Sequence, residues 1–495
     1  PTRSLPHFDT PDIELIERDG DVLLRSRVAL GDYATAVADW LQHWASERPN
    51  TVFLAQRPGG EPSQPWETIT YSDMWNRARS IGQGLLDLGL GQDKPLAVLS
   101  GASIDHGSLV MAGHLVGVPI VPVSEAYSLL ASTTDRLEYI VGHTDAGAVF
   151  ASSSEMFSKA LDLFPDLRII SGDGNRGTDL ADLMNAAPSD AVDAAAAAVS
   201  GETIAKILFT SGSTGLPKGV ITTHKMLCAN QESIFAGWPF LEHEPPVICD
   251  WLPWSHTFGA NHNLNVILRN GGTMYIDGGR PTPDRLSITV QNLVDVQPTM
   301  AFNVPAGWAR LVDALEQSPE SARQIFENLR VAFYAGSALS NDVWERLTAL
   351  IDDHAPAQVS MAAGWGMTET GPASVAVHMD LDGPGIVGTP LAGVTVKLVP
   401  AGTKTELRVS GPSITPGFLN DPERTAAAFD DEGYLITGDA IRLADPTDPN
   451  KGLVFDGRIA EDFKLSTGTW VSAGTLRTKV VAACSPDVLD AVSTG

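Results

Sequence analysis

The sequence predicts an α/β fold: a large N-terminal domain of stacked, largely parallel βα subdomains, followed by a small β-barrel subdomain. Three observations carry this. Between residues 34 and 200, short β-branched apolar runs alternate with amphipathic helical stretches, the pattern of a parallel sheet with crossover helices. The alternation resumes from 201 to 387 around several Gly-rich segments. From 388 to 457 the texture changes to short strands separated by Gly and Pro turns.

Residues 34–50 set Ala34, Val37, Leu41 and Trp44 on one helical face and stop at Arg48-Pro49-Asn50. Thr70-Tyr71-Ser72 opens a second helix with Trp75, Ala78, Ile81 and Leu85 on its apolar face. Pro95 to Ser100 reads as a buried strand, followed by a helix through Leu109 to Val116 and a strand at Val118 to Val123. A helix at Leu137 to His143, a strand at Ala148 to Ala151 and the segment Leu163 to Ser171 continue the series. The alanine-rich stretch 187–200 fits a surface helix or connector. Ile204 to Phe209 is a largely apolar run suited to a buried strand. In the last subdomain, strands are expected at Thr395 to Val399, Glu406 to Ser410 and Tyr434 to Thr437.

The chain has 495 residues, enough for two or more domains, and ordinary globular proportions of 43% apolar and 19% charged residues. A net charge of −27 argues against a nucleic-acid footprint or adhesion to anionic membranes. An anionic substrate must then be met by a local cationic site. The most apolar region, Leu96 to Val123, is broken by Asp105, His106 and His114, so no membrane span is expected. Residues 1–50 are mixed and charged, unlike a signal peptide. Cys228, Cys249 and Cys484 lie far apart and read as buried small hydrophobes in a reducing compartment. A cytoplasmic enzyme, monomer or homodimer, is the expectation.

Five segments carry chemistry. After the strand ending at Phe209 come Thr210, Ser211, Gly212, Ser213, Thr214 and Gly215, then Lys218. Glycines let such a loop turn its backbone N–H groups toward an anion, hydroxyls add donors, and the lysine reaches further phosphate oxygens. The spacing is not that of a Walker A loop. Gly364, Trp365, Gly366 and Met367 permit close approach of a planar ligand; Thr368 can hydrogen-bond a phosphate, and Glu369 is a hard oxygen ligand for Mg2+. Asp439, after a strand and a Gly turn, can accept two sugar hydroxyls, and Arg458 lies further on. The segment from Asp250 to His262 holds His256 among aromatics, with Phe258, Asn261 and His262 close behind. Finally, Ala335, Gly336, Ser337 and Ala338 end a strand with small side chains that leave room for flat rings.

Together these segments resemble the acyl-adenylate-forming superfamily of acyl-CoA synthetases, adenylation domains and firefly luciferase, over roughly residue 50 to the end. The resemblance implies that Thr210 to Gly215, Lys218, Gly336 to Ala338, Gly364 to Thr368, Asp439 and Arg458 bind nucleotide. It implies that Glu369 holds the metal and that His256, Thr368, Glu369 and Lys218 serve catalysis. It also implies an acyl pocket lined by His256, Phe258, Asn261, His262, Ala335, Gly336 and Met367. ATP, Mg2+ and coenzyme A are the cofactors it implies, and a carboxylic acid the substrate. Relatives that activate amino acids carry an aspartate where Trp254 to Phe258 has none, so an acid without an α-ammonium is expected. The segments 250–262 and 460–471 resemble feruloyl-CoA synthetases, implying a hydroxycinnamic acid such as ferulate. A medium-chain fatty acid, or nucleotide binding without turnover, are the alternatives.

By the same resemblance, residues 1–457 form the large domain and 458–495 a hinge and the beginning of a small C-terminal α+β domain. The hinge residue is Ala460, where most relatives have Asp or Lys. The family's C-terminal domain continues for roughly another hundred residues and carries a lysine that contacts the α-phosphate; Ser485 to Gly495 holds none. The expectation is a chain that binds ATP and acid but adenylates poorly beside a longer one.

Overall fold

The computed structural model describes residues 8–130, 133–210, 216–461, 463–464 and 470–471. Ser211 to Gly215 and Cys484 lie outside them. The architecture is α/β, as expected, and rests on three main sheets.

The first sheet has seven strands in the order 218–223, 204–210, 120–122, 96–99, 148–151, 168–171, 178–179. All pairings are parallel except the first, an antiparallel hairpin. Helix Tyr71–Asp87 starts where Thr70 Oγ1 accepts the Asp73 N–H, and buries Tyr71, Met74, Ala78, Ile81 and Leu85. It packs on helix Ile104–Val116 so closely that a Cβ on Gly82 would lie 2.8 Å from Val116. Helix Ile104–Val116 is buried along nearly its whole length, which is why its sequence lacks a polar face. No helix among the described residues is long and apolar enough to cross a membrane. The alanine-rich stretch forms helix Asp190–Ala198, which buries only Val192.

A four-stranded sheet (247–250, 273–276, 52–56, 67–70) supplies the segment from Asp250 onward. The third sheet has eleven strands. Its strands 300–303, 331–334 and 360–366 are parallel, and antiparallel strands 373–376, 386–390, 453–458, 435–443, 404–410, 395–401, 21–26 and 13–18 extend them. The expected strands of the last subdomain are all present, and 386–390 approaches 21–26 around a separate core of Leu24, Val396, Leu407, Val409 and Ile441. The sequence reading missed one component of this subdomain: the N-terminal hairpin 13–26 pairs with strand 395–401. Continuity with the parallel strands passes through 373–376 and 386–390.

Trp238 and Trp308, the largest fully buried side chains, have their indole N–H groups satisfied by Val377 O and Phe333 O, each at 2.9 Å. Cys228 and Cys249 are buried free thiols.

Candidate active site

The phosphate-loop candidate is the connection of a β-hairpin. Strands Ile204–Thr210 and Lys218–Thr223 pair antiparallel so that Thr210 faces Lys218. Thr210 Oγ1 is buried here with no hydrogen-bond partner among the described residues, which fits an incoming phosphate oxygen.

Lys218 Nζ lies 2.6 Å from Glu369 Oε1, bringing two distant motifs together. Apart from this contact, Oε1 has no hydrogen-bond partner among the described residues. Glu369 sits on the 3₁₀ turn Thr368–Thr370 at the end of strand Ser360–Gly366, with its side chain 3% exposed. That turn is fastened to the hairpin through Thr415. The Thr415 N–H donates to Glu369 O at 2.8 Å, and its hydroxyl donates to Ile221 O at 2.7 Å. Gly371 closes the turn at φ +79°, where a Cβ would also sit 2.8 Å from Ser413 O. Among the described residues no three His, Cys, Asp or Glu side chains gather in a way that could hold a metal ion. A single buried carboxylate is the donor set expected for Mg2+ that takes its other ligands from phosphates and water.

Asp439 is gripped from two sides. Trp365 Nε1 donates to Oδ2 at 2.9 Å, and Arg458 Nε approaches Oδ1 at 3.4 Å across paired strands. The Trp365 ring itself belongs to the β-subdomain core, so its side chain orients Asp439 while its backbone and the neighbouring glycines offer the approach. Arg458 is 67% exposed and free to reorient. Ala460 follows, itself exposed, on the 3₁₀ turn Ile459–Glu461.

Ala335 is half-buried and Gly336 to Ala338 form an exposed turn after strand Val331–Tyr334. Beneath it, His262 stacks on Phe333 at 5.4 Å, with Phe258 and Phe302 edge-on at 5.7 and 5.3 Å. His256 is accessible yet set among enough protein that desolvation lowers its pKa, as on the wall of a cleft. Its Nδ1 accepts the Phe258 N–H at 3.3 Å, which leaves Nε2–H as a donor. The sequence-derived residues within the described range thus fall into three local groups, around Lys218–Glu369, Asp439–Arg458 and Phe258–His262.

Asn261 is fully buried, and both ends of its side-chain amide are bonded within the protein. Its Oδ1 accepts from Lys206 Nζ at 3.3 Å and its Nδ2 donates to Thr257 Oγ1 at 3.1 Å. Lys206 is a residue the sequence reading passed over inside an apolar strand. Its ammonium also donates to Ala260 O at 2.9 Å, holding the π-helical turn Phe258–Asn263 against strand Ile204–Thr210. A lysine in an otherwise apolar strand was the signal available. Burial lowers Lys206 to about 7. The unfolded chain therefore keeps this proton between about 7 and the ordinary lysine value while the folded chain releases it, so raising pH through that window favours folding. The urea midpoint of the native chain is expected to rise from pH 7 to 10 relative to Lys206→Met; parallel curves would refute the linkage.

On this α/β scaffold the structure sets out a hairpin, a buried acid on a 3₁₀ turn and a second carboxylate held by an indole N–H. The chain belongs to the AMP-binding enzyme family, which residues 41–419 match. It is 26% identical over 468 residues to a carboxylic acid reductase of Segniliparus rugosus, matching 83% of this chain and spanning 38% of that protein. It is 25% identical over 441 residues to a 4-coumarate–CoA ligase of Pinus taeda, with 86% of this chain and 77% of that one covered. An anthranilate CoA ligase in complex with anthranoyl-AMP has the same fold, with a TM-score of 0.73 at 21% identity over 94% of this chain and 83% of that one. The AMP-forming CoA ligases of this family use ATP, Mg2+ and coenzyme A.

Proposed function

We propose that this chain activates an aromatic carboxylic acid, a hydroxycinnamate such as ferulate, to its acyl-AMP and then to the CoA thioester. The observation that carries this is the ring cluster of Phe258, His262, Phe302 and Phe333 beside the small turn Ala335 to Ala338. Rings recognise rings by stacking and edge contacts. The likeness to a 4-coumarate–CoA ligase supports the same reading.

The residues divide the work of adenylation by position. Thr210 and Lys218, with the loop between them, bind the β- and γ-phosphates, and Lys218 leaves Glu369 for them. Glu369 would hold Mg2+, whose charge would offset that of the phosphates. Thr368 and the His256 Nε2–H donate toward the α-phosphate and the acid carboxylate. The ribose hydroxyls displace Arg458 from Asp439, while Trp365 keeps that carboxylate aimed. Met367 borders both nucleotide and acyl group. Residues 1–457 form the adenylating domain on this reading, with Ala460 the pivot that admits CoA.

The test is the melting temperature with Mg-ATP plus ferulate, and with Mg-ATP plus decanoate. Ligands of the native state raise it by mass action. A rise specific to ferulate is expected; a rise with decanoate alone would move the assignment to an alkyl acid, and no response to ATP would refute nucleotide activation.

A further inference from the structure

The aromatic cluster contains one polar atom whose state the surrounding hydrogen bonds determine. Asp250 ends strand Val247–Asp250 and is 4% exposed. Its Oδ1 accepts the Leu252 N–H at 3.1 Å and its Oδ2 accepts Asn263 Nδ2 at 2.9 Å. A carboxylate only accepts, so the Asn263 amide must present its NH2 to Asp250 and its oxygen to the other side. There Asn263 Oδ1 meets His262 Nδ1 at 2.9 Å. An amide oxygen cannot donate, so the proton is on Nδ1 and His262 Nε2 is a bare acceptor. Burial holds the imidazole at about 4, so the ring is neutral.

The ring cannot turn to hide that acceptor. It is stacked on Phe333 and blocked edge-on by Phe258 and Phe302. Nε2 has no hydrogen-bond partner among the described residues, and it is not among the sealed ring nitrogens that His106, His114 and His224 contain. An acceptor in an aromatic wall is costly to cover with an apolar group and favourable to cover with a donor.

Resting on the aromatic-acid reading above, we infer that His262 Nε2 selects acids whose ring carries a hydroxyl donor. Asp250 and Asn263 are positioning residues: they touch no substrate and act by fixing the tautomer of His262. Discrimination of this kind exceeds what an apolar pocket achieves, because the analogue without the donor leaves the nitrogen unpaired.

The test is isothermal titration of the AMP-saturated chain with 4-hydroxycinnamate, cinnamate and 4-methoxycinnamate. It is run at about pH 8.5, above the value of about 7 to which burial and Asp277, just past the adjacent strand 273–276, push Asp250, so that Asp250 is ionised and accepts. The hydroxy acid is expected to bind about tenfold or more tightly than either analogue, the equivalent of one hydrogen bond. The methoxy ether separates the proposal from a mere steric or polar preference, since it accepts but does not donate. His262→Phe keeps a ring of similar shape and is expected to bring the three affinities within about twofold. Equal binding of cinnamate and 4-hydroxycinnamate by the native chain would overturn the inference and leave the aromatic reading intact. Binding of decanoate with no aryl acid bound would overturn both.

Discussion

Glu369→Gln is expected to lower pyrophosphate exchange about 100-fold or more, the range seen when one preorganised charge-stabilising group is removed from an active site. Glutamine preserves the shape and leaves the Thr415 N–H bond to the residue 369 carbonyl untouched, so the fold should persist. What disappears is the negative charge that faces Lys218 at 2.6 Å. Two effects then oppose each other: Lys218 is released toward phosphate, which favours ATP, while Mg2+ would lose the ligand proposed for it. The second is expected to win, because a hard divalent ion needs an anionic oxygen and Lys218, at 24% exposed, is already partly solvated. Native chain should bind ATP more tightly with Mg2+ than without; the variant should show no such gain. Activity within threefold of native, or an undiminished Mg2+ effect, would remove Glu369 from the metal site.

Gly388→Val should be the most damaging single change to the scaffold. Gly388 has φ +103°, and a Cβ there would fall 1.9 Å from the carbonyl carbon of Ala376 on the paired strand. Backbone, not a flexible side chain, blocks the space, so the sheet must part exactly where the parallel strands join the β-subdomain. A cost above about 3 kcal/mol is expected, beyond ordinary overpacking because φ and sterics add. The consequence for function is indirect: Trp365 and Asp439 sit on opposite sides of this junction and are joined by one hydrogen bond. Urea unfolding should show a large drop in midpoint. Gly142→Ala is the control, since its Cβ meets nothing within 4 Å in helix Asp135–His143 and alanine should stabilise there by about 0.5–1 kcal/mol. A Gly388→Val midpoint equal to native would contradict the packing.

The strands at 96–99, 148–151 and 204–210 were legible because β-branched runs buried on both faces leave no other pattern. The hairpin around Thr210 and Lys218, Glu369 and Asp439 stood out as candidates because each sets polar or charged side chains next to glycines. The N-terminal hairpin's place was not, since nothing within residues 13–26 names strand 395–401 as its partner. Lys206 was hidden by its apolar neighbours, although a buried ammonium needs acceptors that only a distant segment can supply.

The sequence by itself determined the fold class, the family and the kinds of residue available for nucleotide chemistry, because local pattern and short motifs encode those. The tertiary structure decided the rest: Lys218 against Glu369, Trp365 holding Asp439, and the Asp250–Asn263–His262 chain that turns a histidine into an acceptor. Those are pairings between residues that sequence separation does not predict, and hydrogen-bond direction is set only when both partners are in place.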